Sequence, residues 1–335
     1  MAQLEIRNLA TRATAHEMNQ TILITGGTGF LGKRLGMKLA DGNKVVLTGR
    51  NHKHNMDAQQ FTGCLTLPMD VTSIESIRDV FAEVRPKVVI HAAATKYVDL
   101  SEHQPMECID INVIGSQNLA RVCVEKGVET VIGMSTDKSA PPVGNTYGLT
   151  KALMERVFCA MNNKTPTTRF ACVRHGNIAW STGSVFPLWK KMHDNNGVIG
   201  STGPDMTRYF SKVDDAVDLV ITAIDNISDL QGSVVSREMK SALIRDILDL
   251  WIREKGGRWE KIEGRPGERA HEYLMGEPEL PYTSRATFDG VRHYVIKFNQ
   301  PVRSPLAAPL MSATAERLSE QELLEIINNP PVEEL

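Results

Sequence analysis

Through the first half of the chain, short apolar runs alternate with amphipathic stretches. Thr21-Ile22-Leu23-Ile24-Thr25, Lys44 to Thr48, Cys64 to Val71, Lys87 to Ala92 and Glu129 to Met134 read as strands, the fourth of them buried on both faces. Lys33 to Ala40, Ile74 to Val84 and Ile109 to Lys126 carry apolar residues at helical spacing. This repetition predicts an α/β fold with a doubly wound parallel sheet. From about residue 166 the pattern becomes mixed: Phe170 to Val173 reads as a strand and Val213 to Ile227 as an amphipathic helix whose Asp214, Asp215 and Asp218 face solvent. The organisation expected is an extension over 1–20, a dinucleotide domain over 21–175, a smaller mixed substrate lobe over 176–300 with some elements returning to the main sheet, and a tail over 301–335. In that tail Ser319 caps a helix whose stripe is Leu323, Leu324 and Ile327.

Chemistry enters at the strand ends. Gly26-Gly27-Thr28-Gly29-Phe30-Leu31-Gly32 lies between the first strand and a helix, where glycines permit a tight turn and the helix N-terminus offers N–H groups to a pyrophosphate. That is the dinucleotide loop of a Rossmann-type sheet. The next strand ends in Gly49-Arg50 and not in an acid, so Arg50, aided by Lys53, favours the 2′-phosphate of NADP over the ribose hydroxyls of NAD; a solvated loop cation is the plainer alternative. Asp70 is placed to accept from an adenine amine, and the small residues of His91-Ala92-Ala93-Ala94 let backbone lie against the cofactor.

Ser135-Thr136-Asp137-Lys138 ends the strand after Glu129, and Tyr147-Gly148-Leu149-Thr150-Lys151 follows. On a helix, Tyr147 and Lys151 share a face, where an ammonium lowers a phenol's pKa. Asp137 and Lys138 would add the second acid/base pair that eliminating water requires. A surface ion pair beside an ordinary helix is the alternative if the segment is taken alone.

Together these residues resemble the extended short-chain dehydrogenase/reductase family, and within it the soluble UDP-N-acetylglucosamine 4,6-dehydratases that also invert C5. The resemblance runs over about residues 20 to 300 and adds His91-Ala-Ala-Ala-Thr-Lys-Tyr-Val98, Asn112-Val-Ile-Gly115, Val173-Arg-His-Gly-Asn177, Met206-Thr-Arg208 and Arg265-Pro-Gly-Glu268. The glycine loop and Tyr-x-x-x-Lys mark only the superfamily; Ser-Thr-Asp-Lys, Met-Thr-Arg and Arg-Pro-Gly-Glu carry the narrower assignment. The stretch from Ser139 to Thr146 is about one residue longer than in that group, and Gly200 to Asp205 departs from its usual Thr-Asp-Pro. Tyr147 stands where large membrane-bound relatives often have methionine.

The resemblance implies roles. Tyr147, its phenolate favoured by Lys151 and the nicotinamide's positive ring, takes the O4 proton as hydride leaves C4; neutral Lys138 abstracts the C5 hydrogen; protonated Asp137 donates to O6; hydride returns to C6. Thr136 hydrogen-bonds near O4. Gly26, Thr28, Gly29, Phe30, Leu31, Gly32, Arg50, Asp70, Val71, Ala92, Ala93, Ala94, Asn112, Tyr147 and Lys151 would line NADP, with Asn112 fixing the geometry around Tyr147 and Lys151. Lys96, Asn177, Arg208 and Arg265 would meet the UDP-sugar; Glu268 and Glu272 resemble positions near the nucleotide but take no role. A 4-epimerase of the same fold, which has no need of Asp137 and Lys138, and a non-catalytic nucleotide sensor remain open.

Bulk properties narrow the field. The 335 residues are 41% hydrophobic and 23% charged, enough for a substantial core. A net charge of −2 argues against a general nucleic-acid binder. Five cysteines without Cys-x-x-Cys spacing and scattered histidines predict a reduced, cytoplasmic protein without a metal site. No run reaches membrane-spanning length. A homo-oligomer, dimer or higher, is expected, with residues 1–20 as an arm on the assembly or a loose tail.

Overall fold

The computed structural model describes residues 19–331; the expected N-terminal arm lies outside them. Strand β1 (Thr21–Thr25) leads through helix α1 (Phe30–Leu39) to β2 (Lys44–Gly49), and α2 (His52–Thr62) to β3 (Leu65–Pro68). Helix α3 (Ile74–Val84) and β4 (Val88–His91) follow, then α4 (Val98–His103), α5 (Pro105–Ile109), a π-helical turn Asp110–Gly115 and α6 (Ser116–Glu125). Strand β5 (Thr130–Thr136) feeds a 3-10 turn at Asp137–Ser139, then α7 (Thr146–Asn162) and β6 (Arg169–His175).

Six of these strands stand in the order β3-β2-β1-β4-β5-β6, each pair parallel. The order reverses between β1 and β4, and ligands of open α/β sheets sit at such a point, beyond the strands' C-terminal ends. Pro68, which lacks an N–H, falls on edge strand β3, where that is tolerated. Strands β1, β4 and β5 are buried along nearly their whole length, as a sheet covered on both faces requires. One covering layer packs Ile77, Phe81, Leu119 and Phe158; the other packs Leu35, Leu39, Val217 and Val220.

The second half is split between the sheet and a lobe. Strand β7 (Asn177–Ile178), α8 (Val185–Asn196), β8 (Val198–Ser201), β9 (Thr207–Ser211), α9 (Val213–Asp225) and α10 (Ile227–Leu230) precede β10 (Val234–Arg237). Then come β11 (Ser241–Leu243), α11 (Ile244–Lys255), β12 (Arg258–Lys261), β13 (Tyr273–Met275), a 3-10 helix Glu277–Tyr282, β14 (Thr283–Phe288), β15 (Val291–Ile296), β16 (Leu310–Met311) and α12 (Glu320–Asn328). Strand β10 extends the main sheet in parallel, and the β14–β15 hairpin closes it antiparallel, making nine strands. The lobe has its own aromatic core of Trp180, Phe186, Trp189, Phe210 and Trp251, against which α12 docks Leu323, Ile326 and Ile327. Ser319 and Glu322 form the capping box expected there.

Two sequence readings change. The stretch from Ile109 to Lys126 is not one regular helix: Asn112 turns its amide to Thr95 and Thr150, while Ser116 Oγ donates to the Asn112 carbonyl at 2.6 Å, and the turn widens to a π-helix. Nor is Asp215 simply solvated at the start of α9, although Asp214 and Asp218 are exposed as expected. Asp215 meets Arg237 at 3.0 Å and accepts from the Lys212 N–H, and Asp214 lies 3.4 Å from Arg34.

Candidate active site

The glycine loop is shaped for close backbone contact. Gly26 has φ +63°, and a Cβ there would stand 2.7 Å from the Ala93 backbone. Gly29 begins α1 without a side-chain cap, so Phe30, Leu31 and Gly32 present first-turn N–H groups to whatever the loop holds. Ala92, Ala93 and Ala94 form the facing wall after β4, and Thr28 lies against Gly49 at the end of β2. Arg50 is exposed immediately beyond β2. Asp70 Oδ1 accepts from the backbone N–H and hydroxyl of Thr72, and Val71 is buried beside Gly115. This cradle fits a dinucleotide.

Beneath it runs a buried polar chain. Thr25 Oγ1 meets His91 Nδ1 at 2.7 Å, His91 Nε2 meets Ser116 Oγ at 2.9 Å, and Asn112 Nδ2 donates to the Thr95 carbonyl and Thr150 Oγ1, each at 3.0 Å. Thr150 in turn donates to the Tyr147 carbonyl. Burial first, and the Lys151 charge second, push His91 down to about 3, so it acts as a neutral linker. Asn112 therefore orders Thr95 and the first turn of α7, and reaches Tyr147 through Thr150.

The residues expected to act as acids and bases meet where β5 ends and α7 begins. Asn145 caps α7 by accepting from the Gly148 N–H at 2.7 Å. Gly148 packs on the Lys138 carbonyl so tightly that a Cβ would stand 2.2 Å from it, so only glycine lets the helix approach the diad. Asp137 is fully buried: Oδ1 accepts from Thr136 Oγ1 and Lys138 Nζ, both at 3.0 Å, while Oδ2 has no partner. Tyr147 is 8% exposed. Burial, then the Asp137 carboxylate, push its phenol above the ordinary value, with the Thr136 hydroxyl opposing.

Two expected protonation states come out differently. Burial lowers the Lys138 ammonium, but Asp137 and Glu272, the latter 3.6 Å away, outweigh it and hold that group above the ordinary lysine value. A neutral Lys138 is therefore not the resting form. Lys151 sends its ammonium to Met154 Sδ at 3.0 Å, and burial lowers it to about 8. Burial and Asp137, not Lys151, dominate the phenol of Tyr147.

The substrate-side residues divide. Asn177 Oδ1 accepts from Lys138 Nζ at 3.2 Å, and Arg208 Nε lies 3.9 Å from Glu272 while Nη1 donates to the Thr207 carbonyl, so both stand at the diad. Arg265 is exposed, its backbone N–H on Glu268, and Lys96 is exposed beside the Tyr97 ring. Sequence reading passed over Arg269. Its guanidinium reaches the Pro142 and Lys138 carbonyls and stands 3.0 Å from Glu272, clamping the loop between Lys138 and Tyr147. Glu272, left without a role, is 2% exposed in the middle of these cations. It sits only four residues beyond the Arg265-Pro-Gly-Glu268 motif, which was the available signal.

A parallel sheet in this order, with a glycine loop at its switch point and Tyr-x-x-x-Lys at the same edge, is the fold of the extended short-chain dehydrogenases/reductases that act as nucleotide-sugar epimerases and dehydratases. The chain belongs to the polysaccharide biosynthesis protein family, whose pattern matches residues 22–289. It is 32% identical over 285 residues to the UDP-N-acetylglucosamine 4,6-dehydratase (inverting) of Campylobacter jejuni, covering 83% of this chain and 82% of that one. A Methanocaldococcus jannaschii protein described as an uncharacterized membrane protein is 35% identical over 284 residues, 78% of this chain and 82% of its own. The crystal structure of Pen from Bacillus thuringiensis superposes with a TM-score of 0.86 at 25% identity, covering 94% of this chain and 98% of that one. Among the described residues no helix is long and apolar enough to cross a membrane, and no cluster of metal-ligating side chains occurs.

Proposed function

We propose that this protein is a UDP-N-acetylglucosamine 4,6-dehydratase that uses NADP. The observation that carries the reading is the Asp137–Lys138 pair at 3.0 Å, with Asp137 Oδ2 buried and unpartnered, at the strand edge that also presents Thr136 and Tyr147. A dehydratase needs that second acid/base pair and a 4-epimerase does not. The 32% identity to an inverting dehydratase supports the same reading. Arg50 supports NADP, since a guanidinium matches a 2′-phosphate.

Bound nicotinamide supplies the hydride acceptor and later the donor. Tyr147, acting as the phenolate that the positive nicotinamide would favour when bound, takes the O4 proton as C4 is oxidised, and Thr136 orients that oxygen. The resulting 4-ketone acidifies the C5 hydrogen. Transfer of one proton from Lys138 to Asp137 across their 3.0 Å contact makes the amine base and the carboxylic acid together. It also removes the negative charge that holds the Tyr147 phenol up. Lys138 then takes the C5 proton, Asp137 protonates O6, and water leaves across C5 and C6. Once C6 has its hydride, Lys138 returns a proton to C5, and the proton Tyr147 took from O4 passes by way of Asp137 to Lys138 and restores the resting ion pair. Arg208 would hold the diphosphate, with Asn177 on the sugar beside Lys138.

Proton NMR of the protein with UDP-N-acetylglucosamine and NADP in deuterated water tests this. A C6 methyl signal with deuterium at C5 is the expected outcome, and the ring couplings report whether C5 inverts. A new C4 epimer without a methyl signal would replace this reading with the epimerase one. A C5–C6 alkene with C4 reduced again would mean that elimination occurs but hydride returns to C4.

A further inference from the structure

Glu272 has a buried carboxylate. Its backbone is fixed by Ser312, whose Oγ accepts from the Glu272 N–H at 2.9 Å and whose N–H donates to the Glu272 carbonyl at 2.8 Å. The side chain then extends into a nest of cations: Arg269 Nη2 at 3.0 Å, Lys138 Nζ at 3.6 Å and Arg208 Nε at 3.9 Å. Although Arg269 is at ion-pair distance, Glu272 Oε2 lies off the line of its N–H bonds and has no aligned hydrogen bond. A carboxylate this dry is costly unless cations compensate it, and here it compensates them in return.

We propose that Glu272 is a positioning residue for proton transfer: it holds the Lys138 ammonium against Asp137 in the resting site and thereby sets the pH range over which Lys138 yields its amine. Its place in the reaction rests on the reading that Lys138 handles the C5 hydrogen. The charged groups facing Lys138 are Asp137 on its own turn, Glu272 ahead of β13, and Arg208 on β9, which opposes the two acids. Arg269 binds the Lys138 carbonyl, Asn177 on β7 accepts from its ammonium, and α7 brings Tyr147 and Lys151. His175 at the end of β6 is pushed down by burial and stays neutral near pH 7. Removing the Glu272 charge leaves Asp137 as the one acid in this set, with two arginines and Lys151 unopposed around the ammonium.

C5 hydrogen exchange into substrate and product, followed by NMR in deuterated water across pH 6 to 10, tests the assignment on Glu272→Gln and Glu272→Asp. Throughout this range, which lies below the parent's Lys138 midpoint, the rising limb of exchange against pH should shift by about one pH unit or more to lower pH in Glu272→Gln, in line with the loss of an opposite charge within 4–6 Å. Glu272→Asp, which keeps the charge but draws it back, should shift it by less. A limb unshifted from the parent in both variants, or in the Asp variant if the Gln variant does not fold, overturns the inference. A parent that shows no exchange at any pH overturns the dehydratase reading instead, so the two failures are distinguishable.

Discussion

Helix α7 joins two groups of buried charge that are built on opposite terms. One turn beyond Lys151, Glu155 enters a network in which all five N–H donors of fully buried Arg174 are used: Nε and Nη2 on Glu155, Nη1 and Nη2 on Glu279, and Nη1 on the Leu274 carbonyl, at 2.7–3.0 Å. Ser135 and Ser139, which bracket the acid/base residues, donate to Glu155 Oε1 at 2.5 and 2.8 Å. Toward the substrate side, Lys151 has only a thioether, Asp137 Oδ2 has nothing, and Glu272 has cations without alignment. A satisfied network holds the strand end in place; the unsatisfied one keeps capacity for a ligand. Burial of charge alone therefore does not set the two groups apart; the hydrogen-bonding capacity left unspent does.

The comparison breaks most visibly at Arg174. Arg174→Met should lower stability by about 3–5 kcal/mol, because two buried carboxylates lose their shared partner. Urea unfolding measures it, and a loss below about 1 kcal/mol would mean that the network is no more committed to structure than the diad. Asp137→Asn should weigh on activity more than on stability. Stability should fall by less than in Arg174→Met, since Lys138 keeps Glu272 as a counter-charge and the unpartnered Oδ2 has no bond to lose, while C5 exchange falls by about 10² or more. An Asp137→Asn variant with parent turnover would move the protein to the epimerase reading.

Substituting methionine at the second buried cation sharpens the contrast, because Lys151→Met should stabilise the fold where Arg174→Met destabilises it. Lys151 titrates at about 8 against an ordinary 10.5 because burial disfavours its charge. Between those values the unfolded chain holds a proton that the folded one has released, so parent stability rises with pH there and is penalised below pH 8. The variant escapes the penalty. Its advantage should approach ~3 kcal/mol at pH 7 and vanish near pH 10.5, at about 1.4 kcal/mol per pKa unit. Paired urea melts at pH 7 and pH 10 would read it; an equal difference at both values would show that the effect is packing.

How much of this was legible in sequence follows the same division. The glycine loop, the strand before it and the helix after it form one local pattern, and the structure has all three where the pattern places them. Ser135 to Lys151 was equally local. Arg269 and Glu272 were not, since their meaning depends on a lobe segment folding back onto the loop at Pro142, over 120 residues earlier in the chain. Arg174 looked like the end of a strand because nothing in its neighbourhood reports that Glu155 and Glu279 converge on it. Charge states were least legible: the resemblance implies a neutral Lys138 in the reaction, but Asp137 beside it and Glu272, distant in sequence, together hold the ammonium in the resting site.

Asn145 is where the two regions touch, and the smallest effect expected is there. Its Oδ1 caps α7, while its Nδ2 donates to the Gly267 carbonyl at 3.1 Å, tying the helix that carries Tyr147 to the segment that carries Arg269 and Glu272. Asn145→Asp keeps the cap, and a carboxylate suits a helix N-terminus, but it loses the donor and sets a charge against a carbonyl. Stability should change by less than about 1 kcal/mol, and C5 exchange should fall several-fold as the Arg269–Glu272 segment loosens. Asn145→Ala, which loses both bonds, should cost about 1 kcal/mol in addition. If the Asp variant exchanges C5 hydrogen at the parent rate, Ser312, the pairing of β13 with β16 and the Arg269 contacts hold the lobe segment without the Asn145 bond, and the placement of Glu272 owes nothing to the cap of α7.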